Sequence, residues 1–229
     1  MKLLLSCFIL LGVIENGRAV SSLLPFTERF DLGSSNWLNG SSAVPNYSST
    51  GGVANTGYVF TSATIDTSGF GPIVFRGNNA NSASGGAFVG NWLAAGVNQF
   101  SAYVWHNAPV DLNFYVRFDK GAGSAASSNM ITVAANTWTL LNIPIVDSLG
   151  LSGQVFQSYG AVGSGGFNTI FSDIKNVQIA LAATQDARTS GQTYTVGLDS
   201  ASVIPEPSVG VMTVVGLFGL GLLRRRAVK

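Results

Sequence analysis

The chain has 229 residues but contains only one cysteine, Cys7, and one histidine, His106. A single cysteine excludes a disulfide framework, and one histidine with one cysteine cannot build a zinc site from these ligands. Charged residues make up 10% of the chain, where roughly 25% is usual. The sequence also lacks a phosphate-binding Gly-Lys-Ser/Thr motif and a Gly-x-Ser-x-Gly nucleophile elbow. These absences exclude several common classes of enzyme.

The few basic residues are concentrated at the two ends of the chain. Six of the 12 Lys and Arg residues lie in the first 18 or the last six positions. Between Val20 and Ile204 there are nine acidic residues, which is 11 minus Glu15 and Glu206, and six basic ones, for a net charge of −3. The body of the protein therefore lacks the basic footprint of a nucleic-acid-binding domain.

Residues 1–19 have the pattern of a secretory signal peptide. Lys2 precedes an apolar run over residues 3–14, and Gly17-Arg18-Ala19 places small residues at positions −3 and −1 of a cleavage site. The alternative is a buried N-terminal helix. Cleavage after Ala19 would remove Cys7, so the exported chain would contain neither a disulfide nor a thiol nucleophile.

The C-terminal 25 residues form a three-part pattern. Pro205-Glu206-Pro207 is followed by an uncharged apolar stretch, residues 208–223, and then by Arg224, Arg225 and Arg226 in the tail 224–229. Sixteen helical residues span about 24 Å, which is short for a hydrocarbon core of roughly 30 Å, but arginine snorkelling and local thinning cover the difference. The arginines should remain cytoplasmic, which places the preceding body outside the membrane.

This pattern, with its Gly-rich apolar segment, resembles the PEP-CTERM sorting signal of exopolysaccharide-producing Gram-negative bacteria. The resemblance implies export through the inner membrane, transient anchoring there, and recognition by exosortase, a membrane cysteine transpeptidase that would cut near Pro205-Glu206-Pro207. The processed body would then be retained at the cell surface or in the extracellular matrix. The alternative is an ordinary C-terminal anchor, which explains the apolar run and the arginines but not the tripeptide.

Residues 20–204 are predicted to form one all-β domain, because short alternating or β-branched runs are separated by Gly, Ser, Asn and Pro. Nine or ten strands of this kind predict an antiparallel two-sheet sandwich or a barrel. A hairpin is expected where Asn107-Ala108-Pro109 separates two alternating runs. Small-residue loops are expected over residues 121–129 and 160–168. The strand candidates are residues 58–63, 73–76, 87–92, 100–105, 110–118, 130–133, 138–143, 177–182 and 193–203.

The two ends of this domain resemble the edges of jelly-roll carbohydrate-binding modules. The matching segments are Glu28-Arg29-Phe30-Asp31 with Trp37, and the closing run from Val196 to Val203. The resemblance implies a jelly-roll-like sandwich whose first and last strands share a structural Ca²⁺ ion. Mapped onto this chain, the calcium ligands would be Glu28 and Asp199.

A sugar-binding surface is predicted on the expected hairpin. Alternation places Phe100, Val104 and Phe114 on one face and the neighbouring polar and aromatic side chains on the other. Flat rings with adjacent amides and a guanidinium suit sugars, although cross-strand pairs that only stabilise the sheet have the same pattern. The predicted surface consists of Tyr103, Trp105, Asn113, Tyr115 and Arg117.

Catalytic candidates are few. His106 lies at a strand end beside a turn, which favours a surface or turn-stabilising role over that of a general base. Most of the aspartates occupy turn-like positions, as Asp119 does before Lys120-Gly121, so a glycosidase pair of carboxylates is disfavoured. We therefore expect an exported, non-enzymatic surface or matrix protein that is sorted by exosortase and associates with exopolysaccharide or biofilm. The alternatives are a carbohydrate-binding module and, less favoured, a glycoside hydrolase.

Overall fold

The structure is a computed structural model that describes residues 25–66, 71–121, 124–147, 156–159, 166–183 and 186–205. The predicted signal peptide, the predicted membrane span and the basic tail lie outside the described residues. Of the sorting motif, only Pro205 is described, as the last residue of a strand. The helical segments within the described ranges are all too short to cross a bilayer.

β-Structure predominates in the described part of the chain, which has 13 strands, one short α-helix and two short 3₁₀ segments. The first six strands are β1 (Phe26–Glu28), β2 (Leu38–Asn39), β3 (Asn46–Ser48), β4 (Tyr58–Thr64), β5 (Ile73–Asn78) and β6 (Val97–His106). They are followed by β7 (Leu112–Gly121), β8 (Ser124–Ser128), β9 (Ile131–Val133), β10 (Thr139–Pro144) and β11 (Phe156–Tyr159). The chain continues through α1 (Gly166–Phe171), β12 (Asn176–Leu181) and β13 (Thr193–Pro205).

The strands form two antiparallel sheets. Sheet 1 has the order β10-β6-β13-β4-β3, and β1 also pairs with β13. Sheet 2 has the order β11-β8-β7-β12-β5-β2, and β9 also pairs with β7. The first described strand thus pairs with the last, with Glu28 opposite Ala201, as the resemblance to jelly-roll domains implies.

The core lies between the inner faces of the two sheets. Phe100 of sheet 1 meets Phe118 of sheet 2 edge-to-face at a centroid distance of 5.8 Å. Trp92, from the segment before β6, packs on both rings, and Phe171 of α1 packs on Phe118. All four residues are buried. The predicted sandwich is confirmed by this packing of two antiparallel sheets.

The predicted hairpin between β6 and β7 is wrong. β6 belongs to sheet 1, where β10 and β13 pair with its two edges, while β7 belongs to sheet 2. Both edges of β6 are therefore occupied, and β7 cannot add to it. Asn107 continues the pairing with β13, because its backbone and side chain both bond to Thr195. The segment 107–111 is a corner between the sheets.

Three further local predictions fail. Residues 87–92 are not a strand but a turn region in which Gly90 adopts a φ of +110°, although Phe88 and Trp92 are buried as an alternating strand would require. The loop predicted over residues 121–129 contains β8, whose small side chains pack closely beside β7. The loop predicted over residues 160–168 includes the start of α1. In each case tertiary pairing or packing overrides local propensity.

Candidate functional site

The structure divides the predicted sugar-binding residues between two opposite surfaces. Tyr103 and Trp105 lie on the outer face of sheet 1, since the alternating Val104 and His106 are buried. Asn113, Tyr115 and Arg117 lie on the outer face of sheet 2, since they alternate with buried inner residues of β7. The alternation itself is confirmed, but the five side chains do not form one surface.

The outer face of sheet 2 carries a row of polar side chains from four neighbouring strands. Arg117 of β7 is paired on one side with Ser127 of β8 and on the other side with Gln178 of β12. Gln178 is in turn paired with Arg76 of β5. At a strand spacing of about 4.8 Å, this row is roughly 14 Å wide. The next row along contains Asp119 opposite Asn176. We call the six residues Arg76, Arg117, Asp119, Ser127, Asn176 and Gln178 the polar face.

Hydrogen bonds hold the centre of the polar face in place. The Arg117 guanidinium donates from Nη1 to Gln178 Oε1 at 2.7 Å, and the same nitrogen lies 3.7 Å from Asp119 Oδ2. Gln178 is buried, while about one fifth of the Arg117 and Asp119 side chains is exposed. The centre of the face is therefore ordered and partly open to solvent.

Three buried atoms of the polar face have no hydrogen-bond partner: Arg76 Nε, Ser127 Oγ and Asn176 Oδ1. Such atoms are rare, because removing a polar group from water without replacing its hydrogen bond costs free energy. Arg76 Nε is a donor and Asn176 Oδ1 is an acceptor, while Ser127 Oγ can both donate and accept. A ligand that could satisfy all of them must itself carry both donors and acceptors.

The two arginines of the polar face influence each other. Burial and the nearby Arg117 charge lower the pKa of Arg76, and Asp119 partly offsets this. Among the described residues, no carboxylate lies within salt-bridge distance of Arg76. The side chain donates one long hydrogen bond, from Nη2 to Gly40 O at 3.4 Å. The charge of Arg76 is therefore weakly compensated.

Sequence reasoning found Arg117 but missed Arg76, Ser127, Asn176 and Gln178. Gln178 lies on β12 beside β7, and Arg76 lies on β5 beyond β12. Alternation within a single strand does not reveal this order of strands. Tyr115 points outward as predicted but is only 4% exposed, so it is not an open stacking platform. Asn113 borders this surface and accepts a hydrogen bond from Thr132.

The outer face of sheet 1 carries an aromatic patch, which we define as Tyr58, Phe60, Trp105 and Trp138. Trp138 lies 5.4 Å from Tyr58 and 6.4 Å from Trp105 between ring centroids, and its Nε1 donates to Gly51 O at 2.9 Å. Gly197 of β13 lies beneath the patch, where a Cβ atom would come within 3.0 Å of the Trp138 ring. The rings thus occupy the space that a side chain at position 197 would take.

Comparison with known proteins gives similarities at the level of structure alone. No family model matches the chain, and no curated protein matches it. One similar structure is the CBM22-1 and GH10 modules of endo-1,4-beta-D-xylanase 10B from Clostridium thermocellum with xylohexaose, at a TM-score of 0.46 and 12% identity over 80% of this chain. Another is the family 11 carbohydrate-binding module of Clostridium thermocellum with a β-1,3-1,4-mixed-linked tetrasaccharide. It matches with a TM-score of 0.45 and 13% identity over 81% of this chain.

The coverage of these two structures differs. This chain spans 28% of the xylanase chain and 98% of the family 11 module. The agarase AgWH50C matches with a TM-score of 0.36 and 12% identity over 65% of this chain and 22% of its own. At these scores and identities, the similarities identify neither a family nor a ligand for this protein.

The residues predicted to bind calcium have other contacts. Asp199 is fully buried, and its Oδ2 accepts hydrogen bonds from Val53 N at 2.8 Å and Thr56 Oγ1 at 3.0 Å. Glu28 Oε1 accepts from Phe30 N at 2.9 Å. Oxygens that already face hydrogen-bond donors are poor cation ligands, and the described residues contain no group of three His, Cys, Asp or Glu that could hold a metal ion. The donor set at Asp199 therefore does not fit calcium, and the assignment stays a prediction.

His106 is buried and stabilises the corner that follows β6. Its Nδ1 accepts the Ala108 N–H at 3.2 Å, and its Nε2 lies 3.0 Å from Val133 O. The first contact needs an unprotonated Nδ1, so the neutral tautomer with hydrogen on Nε2 satisfies both. Burial lowers the pKa of His106, opposed by the bond to Val133 and the charge of Asp111. The turn-stabilising role is confirmed, whereas the surface position is wrong.

We expect the stability of the protein to fall as the pH drops from about 7 to about 5.5. The folded-state pKa of His106 is below its ordinary value of 6.5, so the unfolded chain binds the proton more readily. Unfolding is therefore favoured as the pH falls below 6.5 towards the folded-state pKa. Thermal melts of the wild type and His106→Gln would measure this. His106 is the only histidine, so the variant should lose most of the dependence of melting temperature on pH in this range. An unchanged dependence would contradict the role given to His106.

Proposed function

We propose that the β-sandwich is a non-catalytic module that binds polysaccharide on the polar face of sheet 2. The observation that carries the proposal is the clustering of three buried polar atoms without hydrogen-bond partners, Arg76 Nε, Ser127 Oγ and Asn176 Oδ1, on one outer face. Sugar hydroxyls donate and accept, and so match this mixed set. The four-strand width of the face suits an extended polymer more than a small molecule.

Binding without catalysis is supported by the state of the candidate acid–base groups. His106 is buried with both ring nitrogens in contact with backbone groups. Asp111 and Asp186 line a cleft of about 270 Å³ beside Asn113. Arg188 lowers the pKa of Asp186 to about 2, whereas the general acid of a glycosidase needs a raised pKa. Asp186 is therefore unsuited to the role of general acid in this cleft.

Ser127→Ala tests the proposal, because it separates binding from folding. Ser127 Oγ is buried without a partner, so its removal should leave the free energy of unfolding unchanged or slightly raised. Loss of a ligand hydrogen bond should instead weaken retention on polysaccharide about three- to tenfold, for a bond worth about 0.5–1.5 kcal/mol. Affinity electrophoresis of the full chain across a panel of polysaccharides would measure this, with chemical denaturation in parallel.

Ser128→Ala is the matched control, from the neighbouring position. Ser128 Oγ accepts the Val116 N–H at 3.0 Å and donates to Asn129 O at 2.9 Å, so this variant should lose about 1–3 kcal/mol of stability. Trp105→Ala probes the aromatic patch. If retention is lost with Trp105→Ala but is kept with Ser127→Ala, the binding surface is on sheet 1 and the proposal is wrong.

We also propose that the chain is exported through the inner membrane of a Gram-negative bacterium and sorted by exosortase to the cell surface or matrix. The support comes from the sequence: a signal-peptide pattern at one end, and Pro205-Glu206-Pro207 before an apolar run and three arginines at the other. Retention by exopolysaccharide or biofilm would join this route to the proposed binding activity. Strand β13 ends at Pro205, so the motif begins at the last residue of the closing strand.

Glu206→Ala should leave the protein unprocessed in its native host. The two prolines hold Glu206 in an extended backbone, which presents its carboxylate outside the membrane. The full-length form should then accumulate in the membrane fraction, as read by its mass on a gel. Glu15→Ala, in the predicted signal peptide, is a control that should mature normally. Normal maturation of Glu206→Ala would remove the exosortase proposal.

A further inference from the structure

We propose that the ligand of the polar face is an acidic polysaccharide, and that Arg76 binds its anionic group. This inference rests on the proposed function and names the ligand class of that same face. The shared chemistry is a planar or tetrahedral oxyanion on a sugar, either a uronate carboxylate or a sulfate ester. Arg76 contacts the ligand and selects for its charge, and the proposal contains no chemical step.

Arg76 is one of three basic residues without an ion pair in the described part of the chain, together with Arg29 and Lys120. The described residues include nine Asp or Glu and six Lys or Arg, a net charge of −3, and they carry ion pairs at Arg117, Lys175 and Arg188. Arg76 has no carboxylate within 4 Å among the described residues. It nevertheless lies in the same row as a second guanidinium, that of Arg117, and the polar face as defined contains one carboxylate, that of Asp119. The polar face thus holds a local positive charge within a domain that is acidic as a whole.

The geometry of Arg76 favours an oxyanion over a neutral hydroxyl. Its Nε is buried without an acceptor, and its Nη2 makes one long hydrogen bond, to Gly40 O at 3.4 Å. The Nε–H and one Nη–H of a guanidinium form a fork that matches two oxygens of a carboxylate or sulfate. A half-buried cation without an ion pair is costly to maintain. An anionic ligand would supply the missing charge and both acceptors.

The test compares acidic and neutral polymers with the full chain, purified in mild detergent. Affinity electrophoresis and calorimetry would use polygalacturonate for carboxylate, dextran sulfate for sulfate, and dextran as the neutral polymer. We expect the wild type to bind at least one acidic polymer about tenfold or more tightly than dextran, and this preference should weaken at high ionic strength. Which acidic polymer binds distinguishes uronate from sulfate.

The decisive variants change Arg76 and an arginine elsewhere. Arg76→Gln should reduce affinity for the acidic polymer about tenfold or more, because a charge-assisted bidentate contact is lost. Arg76→Lys keeps the charge without the fork and should recover only part of that affinity. Arg29→Gln removes the same charge from an exposed position beside β1 and should change affinity less than about twofold.

The outcomes separate this inference from the proposed function. If the wild type binds dextran and acidic polymers equally, and Arg76→Gln does not change that ratio, polysaccharide binding stands and the acidic ligand is wrong. If the wild type binds no polymer in the wider panel, the proposed function itself fails. If Arg76→Gln does not fold, competition by free galacturonate and by inorganic sulfate against wild-type binding replaces it. If neither galacturonate nor sulfate competes, the inference is wrong.

Discussion

Phe118→Ala should lower the free energy of unfolding by about 3–5 kcal/mol, the usual cost of removing a large buried aromatic side chain. Phe118 is fully buried, and its ring contacts Phe100 of sheet 1, Trp92 and Phe171 at centroid distances of 5.2–5.8 Å. Phe118 lies on sheet 2, and its partners lie on sheet 1, in the segment before β6 and in α1, so the cavity would loosen four parts of the domain together. Chemical denaturation followed by tryptophan fluorescence would measure the change.

Two further variants bracket this result. Phe118→Leu keeps much of the apolar volume and should cost roughly half as much. Leu32→Ala removes a side chain that is 99% exposed and should stay within about 0.5 kcal/mol of the wild type. A loss near that small value for Phe118→Ala would mean that the two sheets do not pack through this aromatic cluster.

Asp199→Ala should destabilise the protein by about 1–3 kcal/mol. The carboxylate is fully buried and accepts hydrogen bonds from Val53 N and Thr56 Oγ1. Its removal leaves the Val53 N–H without an acceptor, at about 1–3 kcal/mol, whereas Thr56 Oγ1 keeps its hydrogen bond to Val53 O at 2.6 Å. The contact is close, because a Cβ atom on Gly52 would lie 2.6 Å from Asp199 Oδ2. Thermal and chemical denaturation would measure the loss.

The controls for Asp199 also test the calcium prediction. Asp31→Ala removes an exposed carboxylate and should change stability by less than about 0.5 kcal/mol. Because protein donors already surround the Asp199 carboxylate, we expect equal melting temperatures for the wild type in chelator and in millimolar Ca²⁺. A lower melting temperature in chelator, abolished by Asp199→Ala, would support Glu28 and Asp199 as calcium ligands and contradict this expectation.

The positions of these residues separate stability from binding. Phe118 faces the core, and Asp199 lies on sheet 1 beneath the segment 51–56, whereas the polar face belongs to the outer surface of sheet 2. Variants of Ser127 and Arg76 therefore report on the proposed ligand, while variants of Phe118 and Asp199 report on the fold. A polysaccharide that protected the protein against unfolding should do so in Asp199→Ala as well, since the polar face remains intact there.

Local sequence pattern determined the fold class of this protein. The period of two in β6 and β7 predicted which side chains face inward, and the burial of Phe100, Val104 and Phe114 agrees with it. The alternation is local, because successive side chains of any strand point to opposite sides. The signals at the two chain ends are equally local, since they depend on composition within about 25 residues. Such features can be predicted without knowing which strands are neighbours.

Tertiary structure alone decided which residues share a surface. Tyr103 and Tyr115 were assigned to one hairpin, but β10 and β13 occupy both edges of β6, so β7 joins the other sheet. Arg76 and Arg117 are 41 positions apart in sequence and meet only because β12 pairs with both of their strands. Alternation states the side of a strand on which a residue lies, but strand pairing depends on backbone hydrogen bonds to distant segments. The polar face is therefore a product of the sheet order, which periodicity does not encode.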